Sequence, residues 1–255
     1  VKKNMTLKDK IVGITLFSVL TLGVFFLIFL SNKNQDKNRF RDVVIHGEKL
    51  LSKDSYLNYC FAGDNVWASR KTLPQLREEL LNHPYIHDVD IEFTTDKKAV
   101  AYLKEKIVKA LILVEGKPFL ITEDFEILTI LENTNILDFP TVNNSKLAVV
   151  KEHEKVAEPG IVEAFKIIDI TRLFSEELYS NLSEINLRHG KEIILSFSDD
   201  YAQVVLGKDG FSRKLNTLSG LKSDKKFSEL VKSCNYIDLR YDNYVYLGMN
   251  EKIGI

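Results

Sequence analysis

Two histidines set four apart have a spacing that could do chemistry. His83 and His87 are separated as two zinc ligands are on one face of a helix. That helical site also needs a glutamate after the first histidine, and Pro84 stands there instead. The pair therefore reads as a turn with exposed imidazoles. The other histidines, His46, His153 and His189, have no partner pattern. There is no GxGxxG, GxxxxGK[ST] or GxSxG stretch, and no pair of carboxylates stands out. No cofactor, metal or catalytic residue is expected. The two cysteines, Cys60 and Cys234, each sit beside apolar residues and read as buried free thiols rather than a disulfide.

A different chemistry is suggested by NYIDLRYDNYVYLGMN, residues 235–250. Apolar or aromatic residues fill the odd positions from Ile237 to Leu247 except Asn243, while Asp238, Arg240 and Asp242 alternate with them. Alternation with β-forming residues predicts a strand. From Tyr241 to Met249 there is no lysine and no proline, the residues that usually blunt a sheet edge. Tyrosine suits a recognition surface, being apolar in body with one polar tip. Either Tyr241, Val245 and Leu247 face the domain with Tyr244 and Tyr246 opposite, or a kink at Asp242-Asn243 exchanges them. Arg240 is open to pairing with a partner carboxylate or to being a solvated charge.

The elements that must carry this strand can be read along the chain. The 255 residues have net charge −1 and 45% hydrophobic residues, which fits one or two folded domains. No clustered basic face marks a nucleic-acid binder. Residues 11–30, IVGITLFSVLTLGVFFLIFL, hold no charge. As a helix they would span roughly 30 Å, the depth of a bilayer core. The run is longer than a signal-peptide core and lacks a small-x-small cleavage site, so an uncleaved transmembrane helix is expected. Four basic residues flank each end (Lys2, Lys3, Lys8, Lys10 and Lys33, Lys37, Arg39, Arg41), so charge gives no orientation. Residues 31–39 read as a polar linker. Strand 40–47, two helices begun by Ser52 and Thr72, a turn at Asp64-Asn65, and strands at 89–94 and 99–106 give the order β-α-α-β-β. Strands then dominate, with a hairpin at Glu115-Gly116, a loop holding Asn133, Asn135, Pro140, Asn143 and Asn144, and strands near 126–130, 146–150, 183–188, 191–197 and 201–206. One helix is expected from Pro159 to about 174 and another stretch from Phe211 to about Cys234.

The β-α-α-β-β unit resembles a POTRA domain. VVIHGEKLLSKDSY is similar to its strand-Gly-x-x-x-Leu-Ser opening, LREELLNHPYIHDVDIEF to its helix-to-strand passage, and YLKEKIVKALI to its closing strand, with Glu105 and Ala110 at matching positions. EIILSFSDDYAQVVLGKDGFSRKLNTL and, above all, YIDLRYDNYVYLG resemble the second half of the FtsQ/DivIB family of bacterial cell-division proteins. Three departures stand out: a tail of about ten residues before the apolar run, EKIVKALI lacking the family proline, and Met249 where many relatives have tryptophan.

The resemblance implies an α+β protein. It would have a cytoplasmic tail at 1–10, a single N-terminal transmembrane helix at 11–30 and a linker at 31–39. A β-α-α-β-β POTRA domain at 40–107 would precede a mostly antiparallel β-domain with flanking helices at 108–250, ending in an edge strand, and a tail at 251–255. It implies a non-catalytic scaffold in the cytoplasmic (inner) membrane at the division septum, crossing it once, with the N-terminus in the cytoplasm. The implied partners are FtsB/DivIC-like and FtsL-like proteins, with indirect control of septal peptidoglycan synthesis by FtsW and its penicillin-binding partner. A partner segment would add to the last strand as a further strand. Arg240, Tyr241, Asn243 and Gly248 fall at family contact positions, and Tyr244 and Tyr246 join them on physical grounds. Two other readings are weighed. Cys234 before Arg240 is similar in order to the sortases, membrane-anchored transpeptidases, but LVKSC lacks their threonines. A POTRA-bearing translocation component would need a closed barrel of many strands of about ten residues, which the second half does not show.

Overall fold

The computed structural model describes residues 15–27, 40, 42–61, 72–135, 139–199 and 202–249. The chain divides into two compact units, one built from residues up to Glu48 and Ser52–Lys104, the other from Lys49–Leu51 and Glu105 onward.

The transmembrane expectation is corrected. Helix is described over 15–27. Among the described residues no helix is long and apolar enough to cross a membrane. The transmembrane helix and the single-pass placement in the inner membrane at the septum are overturned. What stands is a mixed α+β fold. The expected tails, the linker, the Asp64-Asn65 turn and the side chain of Cys60 lie outside the described residues.

In the first unit, β1 (Asp42–His46) is followed by α1 (Lys53–Phe61), α2 (Leu73–Leu81), β2 (Ile86–Phe93) and β3 (Lys98–Glu105). The three strands order as β1-β3-β2, with β1 and β3 parallel. Val43 and Ile45 alternate inward, opposite Ala99 and Ala101, and Leu76, Leu80 and Val89 are buried with them. Gly47 has φ +94 and lies against the Leu103 carbonyl so closely that a Cβ would collide with it. Thr72 starts α2, its N–H donating 2.9 Å to Gln75 Oε1. His83 is not an exposed imidazole. It is buried among the rings of Tyr56, Tyr59 and Tyr85, and its Nδ1 accepts the Tyr85 N–H at 3.1 Å.

The second unit holds β4 (Val108–Val114), β5 (Lys117–Thr122), β6 (Ile127–Thr129), β7 (Thr141–Asn143), α3 (Pro159–Phe174), α4 (Glu176–Asn181), β8 (Leu182–Asn186), β9 (Ile193–Phe197), β10 (Gln203–Gly207), α5 (Phe211–Lys222), α6 (Lys225–Val231), β11 (Cys234–Asp238) and β12 (Tyr246–Met249). They form a nine-stranded sheet in the order β12-β11-β10-β9-β8-β7-β4-β5-β6. The pairs β4–β7, β7–β8 and β10–β11 are parallel and the rest antiparallel. Glu115 and Gly116, both at positive φ, make the tight β4–β5 hairpin. Ile161, Ala164, Phe165, Ile168, Leu215 and Leu218 from α3 and α5 join Ile112, Ile185, Leu195, Val204 and Ile237 in one core.

Several expectations change here. Residues 146–150 are not a strand, although Leu147 and Val150 pack on the core. The expected loop around Asn143 contains β7, and α4 follows α3 directly. The largest change is at the end of the sheet. The expected strand across 235–250 is a hairpin, in which β11 ends at Asp238 and β12 returns antiparallel to it.

Candidate docking edge

The hairpin follows from its residues. The Asp238 carboxylate accepts the backbone N–H of Arg240 at 2.9 Å, a local bond that competes with further strand. Leu239 still donates to the Val205 carbonyl at 2.9 Å, extending the parallel ladder by one residue. Asn243 then takes φ +63, a left-handed conformation that asparagine tolerates, and the chain reverses. Ile237 pairs with Leu247 on the core face, while Tyr236 pairs with Gly248 and Asp238 with Tyr246 on the other face.

The two ends of the nine-stranded sheet differ. Beyond β6, Ile127 donates to the Glu154 carbonyl at 2.9 Å and accepts from the His153 N–H at 2.8 Å. The segment around His153 therefore covers that edge, with the His153 ring 2.8 Å from Glu126 Oε1 and Lys106 2.7 Å from the same oxygen. Burial pushes the Glu126 carboxyl up, but the Lys106 and His153 hydrogen bonds outweigh it and leave the pKa below the ordinary value. Beyond β12, among the described residues, no backbone bond reaches the outer side of Tyr246–Met249. Among the described residues that edge is open, and Tyr246–Met249 carries no lysine or proline.

Tyr241, Tyr244 and Tyr246 lie beside it, exposed to 55%, 66% and 52%. The rings of Tyr241 and Tyr246 meet edge to face at 5.3 Å, and those of Tyr244 and Tyr246 lie 6.3 Å apart. Tyr241 is thus on the surface and not in the core. Val245 and Leu247 pack toward the core. The turn at Asp242-Asn243, not a kink, decides which side chains face out. Gly248 lies under the ring of Tyr236, and a Cβ there would overlap that ring. Asn243 is exposed at the tip of the turn.

Arg240 is exposed and ion-paired within its own domain. Its Nη2 is 2.7 Å from Asp238 Oδ2 and its Nε 3.0 Å from Oδ1, while Nη1 is 3.1 Å from Glu192 Oε1. Asp238 is 4% exposed, and the Arg240 hydrogen bonds hold its carboxyl below the usual carboxylate range against the push of burial. Nearby, the buried Lys214 donates 3.0 Å to the Leu206 carbonyl and 2.8 Å to that of Asp209, pinning the turn between β10 and α5. The pairing signal for Asp238 and Arg240 lay in their i, i+2 spacing on one face. Neither Lys214 nor Tyr236 stands out in the sequence.

The Cys234 thiol is buried, 3.5 Å from Met249 Sδ and donating 3.4 Å to the Leu230 carbonyl. Arg240 is engaged by carboxylates on its own side of the sheet. Among the described residues no cluster of histidine, cysteine and carboxylate groups could hold a metal ion. No family model matches the chain, and no curated protein matches it.

Proposed function

We propose that this protein is a non-catalytic docking scaffold that takes an extended partner segment onto β12 as an added strand. The observation that carries this reading is the contrast between the two sheet edges: β6 is covered by the chain's own backbone, while among the described residues β12 is open, unblunted and bordered by three exposed tyrosines. Strand addition satisfies the outward N–H and C=O groups of the edge, and flanking side chains select the partner. Tyrosine offers contact area at little conformational cost.

The partner class comes from the resemblance to FtsQ/DivIB proteins in YIDLRYDNYVYLG and VVLGKDGFSRKL. The partners are an FtsB/DivIC-like protein and its FtsL-like companion, through which the scaffold influences septal peptidoglycan synthesis by FtsW and a penicillin-binding protein. The buried position of Cys234 and the engagement of Arg240 favour this over a cysteine transpeptidase, whose thiolate would need access and an activating cation.

The test is co-expression with the FtsB/DivIC-like and FtsL-like proteins of the same organism, followed by co-purification. The wild-type chain is expected to retain the pair, and Tyr246→Glu to lose it while its unfolding temperature is unchanged. Equal retention by a folded Tyr246→Glu chain contradicts docking at this edge.

A further inference from the structure

One end of the nine-stranded sheet gathers positive charge that the neighbouring carboxylates leave unmatched. β7, β8 and β10 all finish there, since Asn143 pairs with Asn186, Asn186 with Ile194, and Gly207 with Ile193. The loops that follow these strands carry Lys146, Lys191 and Lys208, all exposed. They are far apart in sequence and meet only in the fold. The carboxylates beside them are engaged elsewhere: Glu192 lies 3.5 Å from Arg188 and 3.1 Å from Arg240, and Asp209 3.4 Å from the buried Lys214. Among the described residues no carboxylate is paired with Lys146, Lys191 or Lys208. Lys146 is fitted into this cluster. Its stem crosses Gly190, where a Cβ would lie 2.5 Å from Lys146 Cε, and Gly190 has φ +86. The Ser145 carbonyl is 3.1 Å from His189 Nδ1, which ties the loop after β7 to the β8–β9 turn. In the same loop Leu147 and Val150 pack on the core, while Ala148 and Val149 face out and Val149 is 75% exposed. Two apolar side chains thus project between Lys146 and Lys151.

We propose that this end of the sheet docks on an anionic lipid surface, with Ala148 and Val149 seated at the headgroup–acyl boundary and Lys146, Lys191 and Lys208 on the phosphates. The contact is peripheral, made by loops of the folded second unit, and involves no membrane-crossing helix. Like charges held together repel, and an anionic surface relieves that repulsion. The outward apolar pair selects lipid over a soluble polyanion. A polyanion matches the lysines but leaves Val149 in water, whereas a lipid interface takes up both apolar tip and cationic rim. Lysine suits the rim, because its flexible stem lies along apolar surface while the ammonium reaches the phosphates. This surface is separate from strand addition on β12, and neither reading requires the other.

The probe is a vesicle of phosphatidylglycerol and phosphatidylcholine, about 30:70, set against vesicles of phosphatidylcholine alone. Amide hydrogen exchange of the full chain reads these loops themselves, whatever other part of the chain touches the vesicles. Amides of 146–151 and 188–191 should exchange severalfold more slowly on the anionic vesicles and keep their free-chain rates on the neutral ones. The variant carrying Lys146→Gln, Lys191→Gln and Lys208→Gln should need roughly a hundredfold more anionic lipid for the same protection, at about fivefold per lysine. Val149→Asp, at an exposed position, should lose protection at 148–150 with its unfolding temperature unchanged. Protection that is absent on both vesicles, equal on both, or unaltered by the three lysine substitutions overturns the proposal. Protection of the same amides by polyglutamate in solution, with none on anionic vesicles, also overturns it and assigns this face to an acidic polymer or protein.

Discussion

The ring of Tyr236 lies across Gly248 on the neighbouring strand, filling the space where any other residue would place its Cβ. This pair joins β11 to the edge strand on the face that also carries Tyr246. An aromatic ring over a strand glycine offsets the side-chain contact that glycine lacks. Gly248→Ala should therefore move the Tyr236 ring and loosen β12, costing about 1–2 kcal/mol. Denaturant unfolding measures this. The Tyr236→Ala, Gly248→Ala double variant should be less destabilised than the sum of the two singles.

Acid should weaken the Asp238–Arg240 pair. The Asp238 carboxyl is held below its unfolded value, chiefly by hydrogen bonds from Arg240. Its contribution is therefore fully present above a pH of about 4 and lost as pH falls through the lower folded value. Asp238→Asn removes that contribution at neutral pH. The variant should be less stable than wild type at pH 7 by about 1–3 kcal/mol, with the gap narrowing as pH falls through the lowered folded value. Chemical unfolding across the acid range checks both the direction and the window.

Lys214 should matter more than its place on a helix suggests. Its ammonium satisfies the Leu206 and Asp209 carbonyls. Lys214→Met keeps the stem and leaves those acceptors without their donor, at about 1–3 kcal/mol. Amide exchange should quicken at Gly207 and Gly210, which frame the turn.

Gly47 is a sharp test of the first unit. Its φ of +94 and its contact with the Leu103 carbonyl leave no room for a side chain. Gly47→Ala should destabilise this unit by about 2 kcal/mol or more while the second unit keeps its own unfolding transition. Limited proteolysis with peptide mapping distinguishes the two.

Where periodicity was long, the elements were legible. Val43 and Ile45, the Leu76–Leu80 stripe and the Glu115-Gly116 turn all follow local rules, and each lies where those rules place it. β7 was hidden because three residues between Pro140 and Asn144 show no period. It exists only because β4 and β8 flank it. The hairpin at 234–249 was misread as one strand because Ile237 and Leu247 keep the same parity across the reversal. The turn marker was present in Asp242-Asn243, and the alternation masked it. The apolar run at 11–30 shows the converse: hydropathy alone suggested a span, and among the described residues no helix is long and apolar enough to cross a membrane. Of the site, the tyrosines were legible as exposed aromatic residues near an edge. The contacts of Arg240 with Glu192 and Gly207 were not, since both are far off in sequence.

The most direct test of docking on β12 is amide hydrogen exchange of the chain with and without its FtsB/DivIC-like partner. An added strand would protect amides of Tyr246–Met249 and leave Ile127–Thr129, on the covered edge, unchanged. Binding that leaves exchange at Tyr246–Met249 as it is in the free chain would contradict the account.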